Sequence, residues 1–486
     1  MKFNNKLAAA VSGAILLMAG QVALADSTTD IVDALVSKGV LTEEEGKLIT
    51  KGHESKKKAD GTVAFKNGFK INSGDGKSNF SVNGRVQADY RDFDIDAKAA
   101  TGAAVSPENA SGFDIRRAYL GVKGNFLGFV NYEATGDFAG SSTLKYYWVE
   151  PVLSEAFKVR FGLFKMPGSL EQLTSSRFID FTERDWVATM APAVNKGIMV
   201  HGVPTTGVTY ALSVSNGGYL ADAGSGTTRE TSNSADGKAL NGRLTLNFAE
   251  LAGNKEAIGH VGGWFGWDEN LPTMGSGSTA GTLAFRTNGR GTQFFSTNVA
   301  SSSILFTNPE IKRGGLEAIA AMGPVKVQGE YAMMNFQQQG LNDKEITAGY
   351  IGISYMLTGE QYASSYKNGL MDRMSPKNNY TGLGSTGIGA WEIGARYSKF
   401  DATDFTSGAS TSLYDIDSRA STNKADSYTV GIKWIPEPNT RFLLDYIYTD
   451  FNSSIYGTTS TTAGALSLNR AFSSEQAINM RAQFDF

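Results

Sequence analysis

The chain ends Ile478-Asn479-Met480-Arg481-Ala482-Gln483-Phe484-Asp485-Phe486, and the reading of this stretch decides the fold. Ile478, Met480, Ala482, Phe484 and Phe486 alternate with Asn479, Arg481, Gln483 and Asp485, which is the period of a strand with one apolar and one polar face. The same alternation appears near the other end of the chain. There Phe80, Val82, Val86, Ala88 and Tyr90 oppose Ser81, Asn83, Arg85, Gln87 and Asp89. Trp391 to Ser398, Tyr428 to Trp434 and Phe442 to Thr449 repeat it.

Two architectures give this pattern: a soluble β-sandwich with its apolar face inward, and a membrane barrel with its apolar face outward. Connection lengths discriminate them. Strand starts fall near residues 79, 112, 127, 143, 157, 196, 207, 238, 257, 312, 325, 345, 389, 426, 440 and 476, about sixteen in all. Short links (124–128, 151–156, 203–207, 251–256, 322–324, 436–439) mostly alternate with long Gly/Ser/Thr-rich ones (94–111, 167–195, 217–237, 270–311, 402–425, 452–475). Outer-membrane barrels have short periplasmic turns and long external loops, and a sandwich has no reason to sort its loops by parity. The expected fold is therefore all-β, a transmembrane antiparallel β-barrel over residues 61–486. One link, 358–388, is long where a short turn is due: it is either an extended periplasmic connection or a miscount of strands. An apolar terminal strand ending on Phe486 is also how outer-membrane barrels typically present themselves to the barrel-assembly machinery. Closure is obligatory in lipid, because an open edge would leave backbone groups without partners.

The N-terminus reads as a secretory signal over residues 1–25. Lys2 and Lys6 precede the apolar Leu7 to Gly20, and Ala23-Leu24-Ala25 is an A-x-A cleavage pattern before Asp26. Residues 26–60 read as a periplasmic helical segment and charged linker. Ile31, Leu35 and Val36 share a face, Gly39 breaks the run, and Thr42 to Glu45 fits a capping box that starts a second short helix. Lys51 to Asp60, with Lys56-Lys57-Lys58, is expected to be a solvated linker.

Composition excludes other classes. The chain of 486 residues has no cysteine, so disulfide scaffolds, thiolate zinc sites, iron–sulfur clusters and attached c-type haem are ruled out. Loss of Lys2 and Lys6 with the signal takes the formal charge from −3 to −5, too mild to name a partner, and no nucleic acid is expected. No enzyme is expected either, and no cofactor or metal. His53, His201 and His260 fit no catalytic spacing and read as solvent or lumen side chains. Gly382-Leu383-Gly384-Ser385-Thr386-Gly387 matches G-x-G-x-x-G, but a strand around Trp391 follows where a helix is required. Asp92, Asp94 and Asp96 lack the later glycine and glutamate of a calcium loop and read as an exposed loop.

A sixteen-stranded barrel encloses an aqueous channel, whose selectivity depends on charged side chains at its narrowest part. Adjacent Arg116 and Arg117 on the second strand would send one guanidinium into lipid under strict alternation, so a bulge or a rim position is expected. The semi-apolar segment of about 167–195 after the fifth strand reads as a loop folded into the barrel to constrict it. The long loops hold only scattered Arg229, Lys238, Arg286 and Arg290, so no basic ladder is expected there.

The chain resembles the phosphate-selective porins O and P of Gram-negative outer membranes. The resemblance is carried by Phe113-Asp114-Ile115-Arg116-Arg117-Ala118-Tyr119-Leu120, by Gly162 to Pro167 followed by Leu173-Thr174-Ser175-Ser176-Arg177 and Glu183-Arg184, and by Gly389-Ala390-Trp391-Glu392 with Ala395-Arg396-Tyr397-Ser398. It implies a homotrimeric porin, integral to the outer membrane and in contact with its lipid, whose basic constriction passes inorganic phosphate or other small anions. Arg116, Arg117 and Tyr119 would line the wall, and Ser175, Ser176 and Arg177 would face it from the loop. Lys165 and Arg184 complete the implied constriction. Two alternatives stay open: a general non-selective porin, and a barrel scaffold holding a partner such as an outer-membrane cytochrome.

Overall fold

The structure is a computed structural model that describes residue 32 and residues 35–59, 62–64, 69–99, 111–140, 143–216, 237–269, 283–296, 310–337, 342–405, 422–460 and 466–486. The signal segment and most of the loops expected at 217–237, 270–311 and 402–425 lie outside these residues. The chain divides into two compact units, Met1–Phe80 and Ser81–Phe486.

In the first unit the capping box forms as expected. The Thr42 N–H donates to Glu45 Oε2 at 2.9 Å, and the Glu45 N–H donates to Thr42 Oγ1 at 3.2 Å. The helix it starts spans Glu43–Ala59. The helix therefore runs through the stretch expected from Lys51 to be a linker: it passes Gly52 and includes Lys56-Lys57-Lys58. A hairpin pairs Thr62–Ala64 with Phe69–Asn72.

The second unit is a closed antiparallel barrel of sixteen strands. In chain order they are β1 (Asn79–Ala99), β2 (Gly112–Phe126), β3 (Val130–Asp137), β4 (Thr143–Ser154), β5 (Phe157–Lys165), β6 (Val194–Thr205), β7 (Val208–Asn216) and β8 (Lys238–Asn247). Then follow β9 (Ala257–Asp268), β10 (Glu310–Met322), β11 (Val325–Gln337), β12 (Lys344–Met356), β13 (Ala390–Asp401), β14 (Lys424–Glu437), β15 (Thr440–Ser460) and β16 (Leu466–Asp485). Each strand pairs with the next in sequence, and β16 pairs back on β1 from Arg470↔Ala99 to Asp485↔Arg85.

The apolar face points outward. Val86, Met480, Phe484, Leu444, Val430 and Ile353 are exposed, whereas Arg85, Gln87, Asp89, Asn479, Arg481 and Gln483 are buried in the lumen. A soluble sandwich would invert that arrangement; an apolar outer band is what lipid requires. Trp391 stacks on Trp434 (ring centroids 5.6 Å apart) and Trp434 on Phe442 (5.4 Å), an aromatic girdle at the end of the wall where β14 turns into β15.

Two expectations for the barrel are corrected. Asp92 and Asp94 lie on β1, paired with Ile478 and Gln476, not in a loop. The loop expected over 452–475 is largely strand, since β15 and β16 pair out to Ser460↔Leu466. Strands β1, β15 and β16, of 21, 21 and 20 residues, exceed the roughly 9–11 residues that cross a bilayer, so they project beyond the membrane as a ribbon. The long link 357–389 is a true connection on the side of the short turns, and the strand count stands. It contains the G-x-G-x-x-G match as turns, with Gly382 and Gly384 at positive φ and β13 following.

Candidate functional site

The segment between β5 and β6 folds into the lumen because its apolar side chains have somewhere dry to go. Leu170, Ile179, Phe181, Trp186, Val187 and Met190 are all buried. Its polar groups are tied to the wall around the circumference. The Leu170 and Glu171 N–H groups donate to Glu330 on β11 at 2.9 and 2.8 Å, and the Thr182 N–H donates to Asp445 on β15 at 2.6 Å. Gln87 of β1 donates to the Ser176 carbonyl at 2.9 Å.

Part of the lumen is thereby filled with side chains. Trp186, Val187 and Met190 join Phe285, Phe294 and Phe295 of the external hairpin 284–296, together with Phe336, Phe400 and Phe451 of the wall and Phe405 just after β13, in one dry cluster. From the other end, the 357–389 connection inserts Tyr362, Met371 and Met374 against Leu170, Ile258, Ile319 and Ile435. Backbone and polar ties secure it. The Tyr362 N–H donates to the Gly323 carbonyl at 3.1 Å, Arg243 donates to the Gly369 carbonyl at 2.9 Å, and Arg373 pairs with Asp485.

What stays open is a cavity of about 1110 Å³ between the infolded loop and the wall formed by the early strands. Thirteen arginines and lysines line it, against five aspartates and glutamates. Charge of one sign in a water-filled lumen with low-dielectric walls raises the local concentration of the opposite ion.

All eight residues singled out in the sequence line this one cavity, but they are held in different ways. Lys165 and Arg184 bind the infolded loop itself. Lys165 donates to the Gln172 and Leu173 carbonyls, and Arg184 donates to the Glu171 and Thr174 carbonyls at 2.6 and 2.7 Å. Both cations thus satisfy acceptors left over at the end of the short helix Leu170–Leu173. Ser175 and Ser176 accept hydrogen bonds from Arg85 at 3.4 and 2.7 Å. The Arg85 guanidinium lies 4.0 Å over the Tyr119 ring. Arg177 donates to the Gly84 carbonyl at 3.3 Å.

Arg116 and Arg117 both reach the lumen. Phe113 is exposed and packs on Tyr90, Arg116 Nε lies 2.7 Å from Glu183 of the loop, and Arg117, buried, donates to Gln87 at 2.9 Å. The side-chain alternation therefore slips by one residue between them, as a bulge allows, and no guanidinium enters lipid. Burial works against the Glu183 charge, but Arg116, Arg117, Arg290 and Arg481 hold its carboxyl well below the usual range.

The sequence reading missed several cations. Arg85, Lys123, Lys145, Lys158 and Arg160 line the cavity from the wall, and Arg286 and Arg290 line it from the external hairpin. Arg85 was legible on the polar face of its strand. Lys145 was not, since it enters the lumen as the extra residue of a bulge where Thr135↔Tyr146 gives way to Gly136↔Leu144. Two of the histidines have carboxylate partners: His201 Nε2 is 2.8 Å from Glu150, and His260 contacts Glu317 at 3.1 Å and the Tyr366 hydroxyl at 2.7 Å. Among the described residues no cluster could hold a metal ion.

The family model described as phosphate-selective porin O and P matches residues 80–486. Porin O of Pseudomonas aeruginosa is 25% identical over 395 residues, covering 77% of this chain and 84% of the relative. Among solved structures, an anion-selective porin from Comamonas acidovorans aligns with TM-score 0.47 and 13% identity, over 84% of this chain and all of that one. OprB of Pseudomonas putida aligns with TM-score 0.48 and 9% identity, over 85% of this chain and 95% of that one.

Proposed function

Because the chain belongs to the phosphate-selective porin O and P family, an outer-membrane channel family and not an enzyme family, we propose that phosphate or a related oxyanion is the solute it passes. The observation that carries this is the thirteen-to-five excess of cationic over anionic residues around the cavity. Passage through a narrow site requires groups that replace part of the ion's hydration without trapping it. Guanidinium groups suit that role, donating in pairs to two oxygens and staying charged at any working pH.

In this reading Arg116, Arg117, Tyr119 and Arg177 meet the solute directly, with Ser175 and Ser176 holding Arg85 in place beside them. Lys165 and Arg184 add positive potential while pinning the loop. The functional unit is a homotrimer in the outer membrane, secreted with a cleaved signal of residues 1–25, and Phe486 is its signal to the barrel-assembly machinery. Single-channel recording in a potassium chloride gradient tests the solute assignment: anion preference, and block of chloride current by millimolar inorganic phosphate, are expected. Cation preference or the absence of block overturns it.

A further inference from the structure

Glu183 of the infolded loop stands among five guanidinium groups brought from four separate parts of the chain. The distances are 2.7 Å to Arg116 Nε, 2.9 Å to Arg481, 3.8 Å to Arg91 and 3.9 Å to each of Arg117 and Arg290. Arg481 and Arg91 also pair with other carboxylates. Arg481 lies bidentate on Asp89, with both contacts at 2.7 Å, and Arg91 pairs with Asp89 and Asp114. Arg117 and Arg290 face no other carboxylate within ion-pair distance among the described residues. Arg116, Arg117, Arg290 and Glu183 all line the open cavity.

The contact geometry is that of an arginine–oxyanion complex. Arg116 approaches Glu183 through two nitrogens, Nε at 2.7 Å from Oε1 and Nη2 at 3.3 Å from Oε2, the fork that arginine also offers to phosphate. A carboxylate has only two oxygens, and those satisfy Arg116 and Arg481. Arg117 and Arg290 are left beyond hydrogen-bond distance, where a tetrahedral oxyanion in the cavity has further oxygens to give them.

With Glu183 set aside, the five guanidiniums outnumber Asp89 and Asp114, the carboxylates that pair with Arg481 and Arg91, and such a cluster would hold a dianion tightly; a channel that holds its ion tightly conducts slowly. We infer that Glu183 is a tethered competitor: its carboxylate occupies the seat of a passing oxyanion among Arg116, Arg117 and Arg290, and so keeps the residence of that anion short. This rests on the anion-channel reading and assigns Glu183 a role in setting the strength of binding. It also accounts for an acidic side chain standing among five guanidinium groups.

Glu183→Gln keeps the shape of the side chain and removes the charge. In bilayer recordings, the inorganic phosphate concentration that halves the chloride current is expected to fall by about tenfold, the worth of one freed charge-assisted hydrogen bond. An unchanged or higher half-blocking concentration overturns the inference. So does a rise in chloride current without tighter block, since that reports a loosened loop. Should Glu183→Gln fail to give a heat-modifiable barrel, Arg290→Gln decides in its place. A several-fold rise in the half-blocking concentration supports the seat, and no change overturns it. If the unaltered protein prefers cations or ignores phosphate, the anion-channel reading itself fails, and that result is visible before either variant is made.

Discussion

Gly84 and the terminal Phe486 exchange both of their backbone hydrogen bonds: Gly84 N–H to the Phe486 carbonyl at 3.0 Å, and Phe486 N–H to the Gly84 carbonyl at 3.1 Å. This pair closes the barrel at its periplasmic end. A Cβ on Gly84 would lie 2.6 Å from the Phe486 ring and 2.9 Å from the Tyr119 carbonyl, so the position admits only glycine while the ring lies across it.

Gly84→Val is therefore expected to obstruct closure, at an overpacking cost of about 1–3 kcal/mol. The measure is the fraction of protein that migrates as folded barrel before heating. That fraction should fall by more than half, and Phe486→Ala in the same chain should restore part of it by removing the ring from the clash. A normal folded fraction for Gly84→Val alone would mean that the terminal residue does not seat on β1.

Arg177→Glu should weaken or reverse anion preference. Arg177 lines the open cavity from the infolded loop, beside the basic wall of Arg85 and Lys123, so the substitution changes the local charge by two. The reversal potential in a salt gradient reads it directly. Unchanged selectivity would mean that the loop does not form the narrowest part of the pore.

Much of the fold was legible because lipid and water act on opposite faces of every strand and write a period of two into the sequence. Fifteen of the sixteen strand starts lie within three residues of their expected places; only β16 begins ten residues early, at Leu466. What escaped has no such period. The 357–389 connection is shaped by distant partners, for example Arg373 on Asp485 and Tyr366 on His260. The dry cluster in the lumen assembles Phe285, Phe295, Phe336 and Phe400 from separate elements. The basic wall depends on register: Lys145 and the Arg116–Arg117 pair face inward only because the alternation slips beside them. Residue types near Arg116 and Arg177 pointed to side chains that share one cavity, but they could not reveal that Lys165 and Arg184 would spend their donors on the loop's own carbonyls.

That difference in role separates Lys165 from Arg177 experimentally. Lys165→Met removes the donor to the Gln172 and Leu173 carbonyls, and buried acceptors left without partners cost about 1–3 kcal/mol. The expected result is a lower midpoint of heat modification and noisier open-channel current, with a smaller loss of anion preference than Arg177→Glu causes. An equal loss of preference at an unchanged midpoint would place the ammonium in the pore as a free charge.

Docking of the infolded loop should also depend on pH through Glu171. Burial pushes its carboxyl up to about 7 from an ordinary 4.5, against the opposing pull of Arg396. The carboxylates around it are Asp185, whose N–H donates to Glu171 at 2.8 Å, and Glu330, which accepts the Glu171 N–H; Arg396 and Arg184 are the neighbouring cations. The docked loop binds this proton more tightly than the released loop does, so the contribution is full below about pH 4.5 and is lost as the pH rises through about 7. Loop opening, seen as current noise or as protease access to 166–193, should thus increase between pH 5 and 8. Glu171→Gln imitates the protonated form and should remove most of that increase. If the variant opens with rising pH as the unaltered protein does, Glu171 is not the group that the loop senses.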